Sequence, residues 1–334
     1  MLDKKNNQDF YNSTFLITGG TGSWGQEVTR QLLEKYHPKE IRIFSRSEFN
    51  QVKMARKFTD QRLKFIIGDV KSLNRLTDSM KGVDIVFHLA ALKHIPVCED
   101  NPWESISVNV AGVENVIRAA ISNEVKVVID SSSDKACSPL NLYGMCKSVG
   151  ERLIINANKR LNNLTTKFVC VRAGNVIATN GSVIPYFIER IMANKSLPIT
   201  HQEMTRYFMD IRDAIGLLFK AAQSSVAGEI YVTKMPACRI VDLAKALLKH
   251  FGKDLPIEFT GIRNGEKLAE MLVSENESAY TVEDDDFRII LPMDGSLNQA
   301  YAKYPKMKEK SYSSSDQLIN EDEILALLKK AGCI

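Results

Sequence analysis

Between Thr14 and Val176 short β-branched runs alternate with longer stretches whose apolar positions recur every three or four residues. TFLIT, IRIF, LKFII, DIVFHLA, VKVVIDSS and KFVCVR read as strands, each separated from the next by a helical pattern. This alternation predicts a parallel sheet with helices on both faces. Crossovers between parallel strands are nearly always right-handed, which makes the expected architecture an α/β, doubly wound sheet of the Rossmann type.

After Val176 the pattern changes. A helix is expected over roughly Pro185 to Asn194, then a short strand, a helix over Asp213 to Ala222, the strand GEIYVT and a helix over Val241 to His250. Such discontinuous pieces predict a smaller second lobe. Residues 12–176 then form the main domain, with parts of 200–235 returning to it, while 177–200 and 236–334 supply mainly the second lobe and a C-terminal tail. The acidic stretch Glu275 to Asp286, with ENES and EDDD, reads as a solvated loop.

With 334 residues, 44% of them hydrophobic, the chain has material for one large domain plus a smaller one. Six cysteines lie scattered, with no CxxC pair and no zinc-finger spacing, so no metal or disulfide framework is indicated and reduced thiols are expected. The 44 basic and 40 acidic residues are too evenly balanced to argue for nucleic acid. No stretch approaches the roughly 18 apolar residues of a membrane span, and the N-terminal stretch, with Asp3 and Asp9, does not resemble a signal peptide. A cytoplasmic protein with no membrane contact is expected.

Immediately after the first strand comes TGGTGSWG, residues 18–25, followed by the helical QEVTRQLLEKY. Gly19, Gly22 and Gly25, with Thr21, Ser23 and Trp24 between them, therefore stand where a strand turns into a helix. Glycines there let backbone N–H groups and the helix N-terminus approach a pyrophosphate. At the end of the second strand an acidic residue would hold the ribose hydroxyl of NAD, and a basic one the 2′-phosphate of NADP. Here Ser45, Arg46 and Ser47 occupy that place, so NADP is the expected cofactor. Asp69 and Val70 end the third strand, where Asp69 is placed to accept from an adenine amino group. Ala90 and Ala91 end the fourth, where small side chains let a cofactor lie against the sheet edge.

Tyr143 and Lys147 in YGMCK are four apart in a helical pattern and share one face. A nearby ammonium stabilises a phenolate, which suits the tyrosine to take a proton from a sugar hydroxyl as hydride leaves the carbon. Ser132, Ser133, Asp134 and Lys135 lie eight to eleven residues upstream, at the carboxyl end of the fifth strand, where ligands of open α/β sheets bind. Alcohol oxidation needs a hydroxyl and the Tyr/Lys pair; it does not need the added Asp and Lys.

TGGTGSWG, FSRSE, IGDV, HLAALKHIP, SSSDKA, NLYGMCK, GNV, GSVIP, MTRYFM and IRNGEKL, in this order, closely resemble the inverting UDP-N-acetylglucosamine 4,6-dehydratases that start pseudaminic acid synthesis. These belong to the extended short-chain dehydrogenases/reductases, and the resemblance runs from about residue 12 to residue 290. It implies that Ser133, Asp134 and Lys135 fill the family's Thr-Asp-Lys position. It further implies Tyr143 as base at sugar carbon 4, with Lys147 tuning the phenol and binding the nicotinamide ribose. Lys135 would remove the carbon 5 proton, and Asp134 would protonate the departing carbon 6 hydroxyl. Hydride would return to carbon 6, leaving NADP unchanged.

The resemblance implies substrate contacts through Lys93, which also touches cofactor, and through Asn175, Gly181, Ser182 and Val183. A uridine diphosphate site would comprise Met204, Thr205, Arg206, Arg263, Glu266 and Lys267, and a homo-oligomer is implied. The chain departs from the family at Ser133, Ala173, Met145-Cys146, Ala178-Thr179-Asn180 and Asn264. Tyr143 matches the inverting enzymes, since relatives that retain carbon 5 configuration often carry methionine there. A retaining dehydratase or another nucleotide-sugar dehydratase or epimerase is the alternative enzyme. A non-catalytic NADP-binding regulator is the alternative outside catalysis, although such proteins typically lose the Tyr/Lys pair.

Overall fold

Nine strands form the central sheet of the computed structural model, which describes residues 10–160, 165–177, 182–283 and 286–334. Gly181 and the departure at 178–180 lie outside the described residues. The first half runs β1 (Thr14–Thr18), α1 (Ser23–Lys35), β2 (Glu40–Ser45), α2 (Glu48–Lys57), β3 (Leu63–Ile67), α3 (Leu73–Ser79) and β4 (Ile85–His88). Helices α4 (Ile95–Asp100), α5 (Pro102–Ile106) and α6 (Gly112–Ser122) lead to β5 (Val127–Ser133), α7 (Leu142–Ala157) and β6 (Lys167–Ala173).

The second half continues with β7 (Asn175–Val176), α8 (Val183–Met192), β8 (Leu197–Ile199), β9 (Thr205–Met209), α9 (Ile211–Ser224) and β10 (Ile230–Thr233). Then come β11 (Ala237–Arg239), α10 (Ile240–His250), β12 (Ile257–Phe259), β13 (Met271–Val273) and α11 (Glu275–Ser278). The chain finishes with β14 (Thr281–Glu283), β15 (Phe287–Ile290), β16 (Tyr312–Ser313) and α12 (Glu321–Lys330).

The sheet order is β3-β2-β1-β4-β5-β6-β10-β15-β14. Strands β3 to β10 in that order are parallel, and the doubly wound order reverses between β1 and β4, leaving a crevice at their carboxyl ends. All five residues of β1 are buried, as both faces are covered. One face packs on an aromatic cluster in which Phe10 meets Phe15 and Phe219 edge-on, with ring centroids 5.4 Å apart in each pair. The other packs on Val113, Val116 and Ile117 of α6. A separate core of Ile184, Phe187, Leu243, Leu247, Ile324 and Leu328 holds α8, α10 and α12 together as the second lobe. No helix among the described residues is long and apolar enough to cross a membrane.

The central sheet is mostly parallel, as expected, with β15 and β14 added as antiparallel strands at one edge, so that Thr281–Glu283 and Phe287–Ile290 join the main sheet. The described part of the acidic stretch, expected as a solvated loop, forms α11 and β14. Glu277 sits in the capping box of α11, accepting from Ser274 N at 2.9 Å and Ser274 Oγ at 2.8 Å, and both of its oxygens accept from buried Arg172. A distant guanidinium, which acidic composition does not reveal, makes burial of this carboxylate tolerable. Of the segments expected to return to the main domain, α9 packs on β5, β6 and β10, and β10 joins the sheet, whereas β9 pairs with β7 and β11 in a small separate sheet.

Candidate active site

The carboxyl ends of the strands open on a cavity of about 1000 Å³. Gly19 takes φ +67°, and a Cβ there would stand 2.8 Å from Ala90 N, so the glycine lets β1 turn tightly against the end of β4. Gly22 precedes the 13-residue α1 as its cap, with no side-chain hydrogen bond to the first-turn amides. Gly19, Thr21, Gly22, Ser23, Trp24 and Gly25 line the cavity, and an uncapped helix start there fits a dinucleotide pyrophosphate. Asp69, Val70, Ala90, Ala91 and Lys93 line the same cavity. Burial lowers the Lys93 ammonium below its ordinary value.

Ser45, Arg46 and Ser47 stand at one end of the cavity. Ser47 Oγ caps α2 by accepting from Asn50 N at 3.2 Å, and Ser45 Oγ accepts from Gln51 Nε2 at 3.1 Å. A hydroxyl that accepts one hydrogen bond keeps a hydrogen of its own to donate. Arg46 is exposed and has no ion pair among the described residues.

Strand β5 delivers the catalytic candidates as it leaves the sheet. Ser133 Oγ donates to Asp134 Oδ1 at 2.9 Å, and Lys135 Nζ donates to the same oxygen at 3.0 Å. Asp134 Oδ2 is buried with no hydrogen-bond partner among the described residues. Burial alone would lower the Lys135 pKa; Asp134 and Glu270 outweigh it and hold the ammonium above its usual range. From α7, Lys147 Nζ donates to Ser131 O at 2.6 Å, while Tyr143, nearly buried, faces the cavity. Burial opposes the Lys147 charge as well, but Asp130 and Tyr143 more than offset it. Behind this pair, burial pushes the Asp130 carboxyl up to about 6, and burial with the Lys147 charge pushes His88 down to about 3.

On the second-lobe side Asn175, Ser182, Val183, Met204, Arg206, Arg263 and Glu266 reach the cavity. Ser182 Oγ is buried without a hydrogen bond among the described residues. Thr205 and Lys267, expected at the diphosphate, do not line the cavity. Thr205 and Arg206 are neighbours on β9, so their side chains leave opposite faces, and Thr205 Oγ1 instead meets Ser314 Oγ at 2.7 Å. Lys267 Nζ turns to donate to Cys137 O at 2.8 Å.

Two residues escaped the sequence reading. Glu270, 3% exposed, lines the cavity with Oε1 3.6 Å from Lys135 Nζ. Its carboxylate, three residues after Lys267, was the only signal. Asn109 clamps the stretch before Lys93, its Oδ1 accepting from Leu92 N at 2.9 Å and its Nδ2 donating to Leu92 O at 2.8 Å. It sits in a π-turn, Ser107–Ala111, that splits the helix pattern and hides its role.

A doubly wound sheet, a glycine turn and a Tyr/Lys pair meet at the carboxyl ends of the strands. The chain belongs to the family described as polysaccharide biosynthesis protein, whose model matches residues 15–292. It is 40% identical to the UDP-N-acetylglucosamine 4,6-dehydratase (inverting) of Campylobacter jejuni, over 98% of each chain. It is also 45% identical to a protein of Rickettsia bellii named UDP-glucose 4-epimerase, over 96% of each. The solved structure of Pen from Bacillus thuringiensis matches with a TM-score of 0.91 at 35% identity, covering 97% of this chain and 99% of that one.

Proposed function

We propose that this chain is an NADP-dependent UDP-N-acetylglucosamine 4,6-dehydratase that inverts carbon 5, giving UDP-2-acetamido-2,6-dideoxy-β-L-arabino-hex-4-ulose. The observation that carries the reading is the Asp134–Lys135 hydrogen bond of 3.0 Å in the cavity that Tyr143 and Lys147 share. A 4-epimerase only oxidises carbon 4 and returns the hydride; it has no use for a second acid and base. Loss of water needs both.

Gly19, Gly22 and the first turn of α1 would hold the pyrophosphate, Arg46 with Ser45 and Ser47 the 2′-phosphate, and Lys147 the nicotinamide ribose. Bound NADP supplies the hydride acceptor for carbon 4 and the hydride donor for carbon 6. Tyr143 takes the carbon 4 hydroxyl proton, and the resulting ketone acidifies the proton on carbon 5. Transfer of the Lys135 proton to Asp134 along their hydrogen bond produces the required amine and the required acid together. Lys135 then takes the carbon 5 proton, and Asp134 gives its proton to the carbon 6 hydroxyl, which leaves as water. The cycle thereby restores the resting ion pair. With hydride restored to carbon 6, a proton from solvent added to carbon 5 on the opposite face completes inversion, and Tyr143 releases the proton it took to solvent. Arg206 and Arg263 suit the diphosphate, since a guanidinium bonds two oxygens at once.

Incubation with UDP-N-acetylglucosamine in deuterated water, followed by NMR, tests the reading. A 4-keto-6-deoxy product with deuterium at an inverted carbon 5 is expected. Absence of that ketone would sink the dehydratase assignment, and retained configuration would sink inversion alone.

A further inference from the structure

Resting on that reading, we propose that Glu270 is a positioning residue for Lys135: it supplies the counter-charge that Lys135 requires as it takes the carbon 5 proton. Asp134 cannot do this, because it must be neutral to donate to the carbon 6 hydroxyl. Once Asp134 carries a proton, Glu270 is the only carboxylate left within ion-pair reach of Lys135 among the described residues.

The carboxylate is held for this purpose. Glu270 N donates to Ser314 Oγ at 2.9 Å, and Ser314 N donates to Glu270 O at 2.8 Å. Thr205 Oγ1 braces the same Ser314 hydroxyl, which gives this threonine of the MTRYFM motif a structural task. Glu270 Oε1 points at Lys135 Nζ, 3.6 Å away, and Oε2 has no hydrogen bond among the described residues. A buried carboxylate left so incompletely bonded is unfavourable unless fixed positive charge compensates it.

That charge comes from three sides: Lys135 after β5, Arg206 Nε on β9 at 3.9 Å, and Lys267 Nζ on the same loop at 3.9 Å. Arg206 is shared with Glu266, at 3.7 Å, and Tyr207 adds a phenol on the Asp134 side. Burial pushes the Glu270 carboxyl upward, and Lys135 pulls against it. As the Lys135 amine becomes an ammonium, the favourable charge at 3.6 Å is already in place and needs no reorganisation.

The test uses the full chain with Glu270→Gln and Glu270→Asp. The first readout is the pH dependence of Lys135 acetylation by acetic anhydride, followed by peptide mass spectrometry, which needs no assumption about the reaction. In Glu270→Gln the midpoint should fall by about one unit, and in Glu270→Asp by less. The second readout sets carbon 5 deuterium exchange against carbon 4 hydride transfer, followed by cofactor absorbance. Exchange should slow by about tenfold in Glu270→Gln while hydride transfer stays within about twofold. An unchanged Lys135 midpoint in either folded variant would overturn the proposal. So would equal loss of exchange and hydride transfer. Should the wild-type chain form no dehydrated product, the dehydratase reading fails, and the Lys135 midpoint still decides whether Glu270 controls that lysine.

Discussion

Gly144 lies so close to the carbonyl of Lys135 that a Cβ on the glycine would stand 2.3 Å from that oxygen. The contact seats the turn bearing Ser133, Asp134 and Lys135 against the first turn of α7, which bears Tyr143. The separation between the two pairs of proton-transfer groups is therefore set by backbone packing, with no side chain between them.

Gly144→Ala should force these segments apart. Overpacking of this kind costs about 1–3 kcal/mol, and the displaced groups include Tyr143 and Lys135 themselves. Urea unfolding should show the loss of stability, and kcat for UDP-N-acetylglucosamine should fall further than cofactor affinity. Wild-type stability and turnover in the alanine variant would show that the turn is positioned by something else.

The alternating half of the chain was legible because its information is local. Strands covered on both faces are nearly uniform in hydropathy, and the glycine turn and YGMCK each lie within one strand-to-helix passage. What escaped depends on partners far away in sequence. Glu277 looked solvated because Arg172, its partner, lies 105 positions upstream. Strands β14 and β15 are only three and four residues long, too short to show a period. At the site, the motif MTR identified the right segment but not which side chain faced inward: strand alternation gives Arg206 to the cavity and Thr205 to Ser314. Glu270 was invisible for a related reason, since nothing near it in sequence announces that the loop folds back on Lys135.

Arg46 offers a direct test of cofactor choice. It is exposed at the end of β2, between Ser45 and Ser47, and it has no ion pair among the described residues to give up. A hydrogen bond to a charged group is worth about 1.5–3 kcal/mol, so Arg46→Ala should weaken NADP by about tenfold or more and leave NAD nearly unchanged. Titrating each cofactor against intrinsic fluorescence measures both constants. Equal weakening of the two would remove the 2′-phosphate assignment.

The Arg172 guanidinium makes a prediction about stability, and its sign follows from the charges. Nε and Nη2 donate to Glu151 at 2.9 and 2.6 Å, while Nη1 and Nη2 donate to Glu277 at 3.0 and 2.9 Å. This ties β6 to α7 on one side and to α11 on the other, and Ser132 Oγ, next to the catalytic turn, donates to Glu151 as well. Burial alone would raise the Glu277 pKa, but Arg172 outweighs it and holds the carboxyl down at about 2, against an ordinary value of 4.5. A folded-state value below the unfolded one means that the folded chain releases this proton more readily. Its contribution to stability is then complete above pH 4.5 and disappears as the pH falls toward 2. Glu277→Gln should cost roughly 2–3 kcal/mol at pH 7, less than a fully orphaned buried charge because Glu151 still pairs with Arg172. Parallel denaturant unfolding at pH 7 and pH 3 should show the gap between wild type and variant narrowing in acid. A gap independent of pH would mean that the lost contribution is packing and not charge.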